Sequence, residues 1–182
     1  VLLGGGPWGS AGDRDVPTLE QEIEIVRDCM FRGTPVIGIG LGAQILALAS
    51  GGQVYSSPLK FSVGEARRTH KGALNGYLPE VFPIFTYMRD VFEAPPHANV
   101  LAVDDNGKTA VFQVAENCFG FAAHPGLKVA MIEDLIMEFE ESPEDIGPTL
   151  EYLRRDQRAI EDALVLIMTG LVQKAGWMSY EA

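Results

Sequence analysis

The sequence predicts an α/β domain, and three stretches carry that prediction. Residues 35–52, PVIGIGLGAQILALASGG, read as a buried strand, a sharp turn with Gly40 at its tip, and a helix stopped by Gly51 and Gly52. Residues 1–7 open in an apolar strand, Val1-Leu2-Leu3, that runs into Gly4-Gly5-Gly6-Pro7. Residues 118–123 form another apolar strand, which delivers His124-Pro125-Gly126 at its C-terminal end. Apolar strands that end in glycine-rich loops read as buried parallel strands, and α/β sheets bind their ligands at that edge.

Composition narrows the functional classes. At 182 residues the chain fits one domain with a sizeable core and room for an appendage. Apolar residues make up 47% and charged ones 21%, an ordinary globular balance. The net charge of −11 repels a nucleic-acid backbone or an anionic membrane, so neither is expected as a partner. Cys29 and Cys118 are the only cysteines, which implies no disulfide framework and makes a reducing cytoplasm the default location. Neither belongs to a metal-spaced cluster, and no metal or other cofactor is expected. The longest apolar stretch, residues 36–50, is interrupted by Gly38, Gly40, Gly42 and Gln44 and is too short to span a bilayer. An α/β chain rarely begins at such a strand and loop, so residues upstream of Val1 are expected.

In chain order, the loop from Gly4 to Pro7 either brings backbone close to a ligand or makes a plain tight turn. Residues 8–16, WGSAGDRDV, are polar and turn-forming. A helix follows from Pro17-Thr18, with Leu19, Ile23, Val26 and Met30 at helical spacing and Gly33 closing it. Cys29 on this helix reads as a core or flank residue. The strand Val36–Ile39, the turn at Gly40 and a helix from about Gly42 to Ala49 come next. Gln53–Tyr55 and Phe61–Arg68 read as short strands of a meander. Arg67, Arg68, His70 and Lys71 form the one basic cluster, either a solvated loop or a patch facing a substrate or partner. Ile84–Tyr87 is a further strand, leading into Met88-Arg89-Asp90 and a loop at Pro95-Pro96. Asn99–Val103 and Thr109–Val114 flank Asp104-Asp105-Asn106-Gly107 as a hairpin, because Asn-Gly supplies the positive-φ positions such turns use. Beyond His124, Val129–Glu140 reads as a helix broken at Ser142–Asp145. Residues 149–174 read as a longer helix with Leu150, Leu153, Ile160, Leu164, Ile167 and Leu171 along one face. That stripe must bury itself, against its own domain or against another subunit.

Four segments together resemble the class I (triad) glutamine amidotransferases, most closely the type similar to the amidotransferase part of GMP synthase. Leu3-Gly4-Gly5-Gly6-Pro7 looks like the family's Gly-Gly-Pro oxyanion loop. Pro35 to Gln44 is similar to its Gly-x-Cys-x-Gly-x-Gln nucleophile elbow. Met88-Arg89-Asp90, with Pro96 and Val100-Leu101-Ala102 after it, is like the His-x-Asp stretch before a Pro and a Leu-Ala strand. Gly120 to Gly126 resembles the Gly-x-Gln-Phe-His-Pro-Glu signature. The resemblance runs to about residue 140, so the expected division is an amidotransferase-like α/β domain at 1–140 and a helical C-terminal extension at 141–182. It implies a doubly wound, mostly parallel, flavodoxin-like sheet whose first β-α-β precedes Val1.

In that family a cysteine thiolate attacks the side-chain amide of glutamine, a histidine shuttles the proton and a glutamate orients the histidine, while backbone N–H groups hold the oxyanion. Carried over by position, the nucleophile falls on Gly40, the base on His124 and the acid on Gly126. The oxyanion donors fall on Gly5, Gly6 and Leu41, and Gln44 stands where the family keeps a residue near bound glutamine. Two of the three triad positions are thus glycine. Met88 also replaces the family's His, and Ala122 its Gln. Departures in three separate motifs favour natural loss over a designed single knock-out. The resemblance therefore implies a member without glutaminase activity that binds a partner, such as a synthetase subunit, or a glutamine-like or γ-glutamyl ligand. The alternative is an active or engineered-inactive amidotransferase or γ-glutamyl hydrolase that supplies ammonia to a synthetase.

Overall fold

The computed structural model describes residues 1–5, 9–10, 16–138 and 147–177, with backbone alone for 135–138. Gly6, Pro7 and the break at Ser142–Asp145 lie outside the described residues. The chain begins with strand β1 (Leu2–Leu3) and helix α1 (Leu19–Phe31). Glu20 and Glu22 occupy the first turn of α1, where the helix dipole favours anions. Strand β2 (Val36–Ile39) then enters the turn at Gly40 and helix α2 (Leu41–Ala49). Leu41 to Ala47 of α2 are all buried, which explains why this helix is apolar all round. It ends in a Schellman arrangement: Gly51 takes φ 91°, and the Gly52 N–H reaches back to the Ala47 carbonyl at 2.7 Å.

Strands β3 (Gln53–Tyr55) and β4 (Lys60–Arg68) follow, then a single 3-10 turn at Ala73–Gly76 and strand β5 (Val81–Met88). After β5 come β6 (Val91–Glu93), β7 (Asn99–Asp104), β8 (Thr109–Val114) and β9 (Cys118–Phe121), then helices α3 (Val129–Glu138) and α4 (Gly147–Lys174). β3 and β4 do not form one meander. β3 pairs instead with β6, a strand the sequence reading missed, in a separate two-stranded sheet. The chain bends sharply at Asp90 (φ 63°), and that bend turns Val91–Glu93 away from β5 and toward β3. At the β7–β8 hairpin only Gly107 takes positive φ, not Asn106 as well. The longer turn is held by Asp104, whose Oδ1 accepts the N–H groups of Asn106 and Lys108 at 2.9 and 2.8 Å.

The main sheet has seven strands in the order β1-β2-β9-β8-β7-β4-β5. It is mixed. β1, β2 and β9 run parallel, while β8, β7, β4 and β5 are antiparallel to their neighbours, so the expected parallel sheet describes only the half that bears Gly40 and His124. β1 is an edge strand and is not buried as expected, with Leu2 67% exposed. At the other edge the sheet curls until β5 meets the end of β9. The Phe85 N–H donates to the His124 carbonyl at 3.0 Å, and the His124 N–H to the Phe85 carbonyl at 2.7 Å.

Helices cover both faces of this doubly wound sheet. α1 and α2 pack against Val36, Phe112, Val114 and Cys118. α4 packs against Ile37, Val111, Phe119 and Phe121 through Ala163, Ile167 and Leu171. Further along, its Leu153 and Ile160 join Phe85, Leu127 and Ile132. The apolar stripe of α4 is therefore buried against the chain's own sheet, each full burial of a Leu or Ile contributing roughly 1.5–3 kcal/mol. No helix among the described residues is long and apolar enough to cross a membrane.

Candidate functional site

The loop after β1, the turn after β2 and the segment after β9 meet at one edge because these three strands are parallel neighbours. The Gly40 N–H donates to the Phe121 carbonyl at 2.9 Å, and the Gly42 N–H to the Gly4 carbonyl at 3.1 Å, so both flanking loops are tied to the turn. Gly40 takes φ 58° and ψ −115°, a conformation that costs an L-residue about 1–3 kcal/mol. Its tip still has room: a Cβ there would lie 3.4 Å from Gly5 Cα and 3.7 Å from His124 Nε2. Gly38 and Gly42 are fixed by sterics, since a Cβ on Gly38 would fall 2.3 Å from the Gly42 carbonyl oxygen and one on Gly42 equally close to that of Leu3. The start of α2 thus presses on β1 and β2 through backbone alone.

His124 lies over this turn. A Cβ on Gly5 would come within 2.7 Å of His124 Nε2, so only glycine lets the imidazole approach the loop so closely. Burial pushes the His124 pKa below its ordinary value of 6.5. The imidazole is therefore neutral at pH 7. Gly126 lies under α4, where a Cβ would meet Leu164 Cδ2 at 2.8 Å. The N–H groups of Gly5 and Leu41 make no hydrogen bond to the described residues.

The structure therefore brings together Gly5, Gly40, Leu41 and His124, and sets Gly126 beside them under Leu164. Gly6 lies outside the described residues. Gln44 is fully buried; its Oε1 accepts the Ser10 hydroxyl and its Nε2 donates to the Arg89 carbonyl at 2.7 Å. It is committed to fastening the loop after β1 to the end of β5. Asp90 is buried too, and its Oδ1 accepts the Ser57 N–H at 2.9 Å. Ser10 and Leu164 were not among the residues singled out from sequence: Ser10 sits in a polar turn without periodicity, and Leu164 was one member of a helical stripe. Of the basic cluster, Arg68 lies at the C-terminal end of β4 and donates to the Leu78 carbonyl at 3.0 Å.

The family model for glutamine amidotransferase class-I matches residues 1–130. The chain belongs to this family. It is 33% identical over 133 residues to a protein named GMP synthase [glutamine-hydrolyzing] from Aeropyrum pernix, the match covering 70% of this chain and 24% of that one. The chain thus spans about a quarter of the length of this curated relative. Two solved structures share the fold. A glutamine amidotransferase from Thermotoga maritima aligns with TM-score 0.77 at 21% identity, over 96% of this chain and 77% of its own. A glutamine amido transferase from Methylobacillus flagellatus aligns with TM-score 0.72 at 23% identity, over 92% of this chain and 74% of its own. Both share the flavodoxin-like α/β architecture of this chain, which covers its second face with α4.

Proposed function

We propose that this chain is a non-hydrolysing class I glutamine amidotransferase that serves as a binding subunit, for a synthetase-type partner or for a small ligand bearing an amide or a carboxylate. The observation that supports this reading is the pair formed by Gly40 and His124. The turn has the backbone of a nucleophile elbow and a histidine facing it, yet its tip carries only hydrogen. A covalent route through an acyl-enzyme needs a thiolate or hydroxyl at that tip, and neither Leu41 nor Gly42 supplies one. The third triad position points the same way, because Gly126 offers no carboxylate to orient the imidazole and Leu164 packs where one would project. The N–H groups of Gly5 and Leu41, which have no partner among the described residues, are available to a carbonyl or carboxylate oxygen. The kinship with a GMP synthase supports a synthetase as the kind of partner.

Calorimetric titration of the full chain with L-glutamine, L-glutamate and a γ-glutamyl amide tests the ligand arm. Saturable heat without ammonia release is the expected result. Absence of heat with all three removes the ligand arm and leaves only the partner role. The room for a Cβ at residue 40, 3.7 Å from His124 Nε2, favours a second reading, in which the chain is a working or engineered-inactive amidotransferase. On that reading Gly40→Cys gains glutaminase activity once the partner is present, and silence of both forms discards it.

A further inference from the structure

We propose that the hollow of the curled sheet is a second ligand site, separate from the elbow, for a small organic anion with a short apolar body. A cavity of about 190 Å³ lies there, walled by residues of β4, β5, β6, β7 and β8 and by Ala122 and Ala123 just after β9. None of Gly5, Gly40, Leu41, Gln44 or His124 lines it. Ile84, Met88 and Phe92 give it an apolar side, and Ser62, Thr86 and Thr109 add hydroxyls. Lys60, on β4, and Lys108, at the β7–β8 turn, complete it. These three hydroxyls and two ammonium groups make no hydrogen bond or ion pair with the described residues. The carboxylate in the lining is that of Asp104, and its Oδ1 is already engaged by the N–H groups of Asn106 and Lys108.

The chemistry of this lining selects its ligand. The chain as a whole carries a net charge of −11, yet here two cations stand beside one acid that is tied up in a turn. An apolar wall with a few unspent donors is the make-up of a small-molecule site, and ammonium and hydroxyl donors together suit a carboxylate or phosphate head. Two positions outside the triad where the sequence leaves its family's pattern, Met88 and Ala122, both line this cavity. Methionine in place of His and alanine in place of Gln make the wall more apolar and leave space. The site stands independently of how the elbow is read, since none of the elbow residues lines it.

The test uses the full chain and the probe 4-methylpentanoate, with 4-methylpentanamide as its uncharged counterpart, followed by calorimetry and by backbone amide shifts. The carboxylate is expected to bind saturably, at least tenfold more tightly than the amide. Lys60→Ala/Lys108→Ala, both on exposed side chains that leave the fold intact, is expected to weaken the carboxylate at least tenfold. Ala122→Leu fills the cavity and removes binding, with circular dichroism to confirm its fold, whereas His124→Ala leaves binding unchanged. Equal affinity for carboxylate and amide, or wild-type affinity in the lysine variant, overturns the proposal. So does the absence of saturable binding, and loss of binding in His124→Ala would assign the probe to the elbow instead.

Discussion

The two halves of the sheet have been shaped in opposite ways. In the parallel half, β1, β2 and β9 bring backbone to backbone, and glycines at 5, 38, 40 and 42 define the site by what they leave out. In the antiparallel half, β8, β7, β4 and β5 curl round a hollow lined by side chains, among them Lys60, Thr86 and Met88. On the function proposed here, the first half retains a geometry whose chemistry would require side chains at positions 40 and 126, where this chain has glycine. The second offers hydroxyls and ammonium groups with no partner among the described residues. A fold can keep its close backbone contacts after the reacting groups are gone, because the packing of α2 depends on the former and not on the latter.

The same small substitution separates the halves. Gly38→Ala drives a methyl into the Gly42 carbonyl and must push α2 off the sheet, at a cost of about 3 kcal/mol read as a lower urea midpoint with unchanged slope. Gln44→Leu removes the acceptor of the Ser10 hydroxyl and the donor to the Arg89 carbonyl inside a fully buried site, and is expected to lose about 2 kcal/mol in the same melt. A cost below half of either figure would mean that the parallel half tolerates change as freely as the curl.

His124 sets a smaller, pH-dependent effect. Its pKa is depressed in the fold by burial, so the unfolded chain binds its proton first as pH falls. Stability is full above the ordinary value of 6.5 and falls as pH drops below it toward the folded pKa. Melting temperatures between pH 7.5 and 5 are expected to decline less steeply in His124→Gln than in wild type; parallel slopes would contradict this. The smallest effect belongs to the curl. A Cβ on Gly64 meets nothing nearer than Asp105 Oδ2 at 3.7 Å, so Gly64→Ala is expected to change stability by less than about 0.5 kcal/mol.

Much of the parallel half was legible in the sequence. Val36–Ile39 is a continuous apolar run bounded by turn signals, and the helix after it is stopped by a glycine pair, so strand, turn and helix fall almost where they were expected. His124 could be placed at the sheet edge because it directly follows an apolar strand. The curl was less legible. Val91–Glu93 is too short to show alternation, and its partner Gln53–Tyr55 lies far off in the chain, with Tyr55 opposite Val91 and Gln53 opposite Glu93 only by virtue of the Asp90 bend. The burial of Gln44 could not be read either, since its partners Ser10 and Arg89 come from distant, unpatterned loops. Nor does any local signal announce that Leu164 rests on Gly126, a contact between two elements 38 positions apart along the chain.

The central claim is that the elbow keeps its backbone and has lost its reaction, and ammonia release from L-glutamine by the full chain tests it most directly. The account predicts no release above buffer. Turnover by the wild-type chain that disappears in His124→Ala would contradict it.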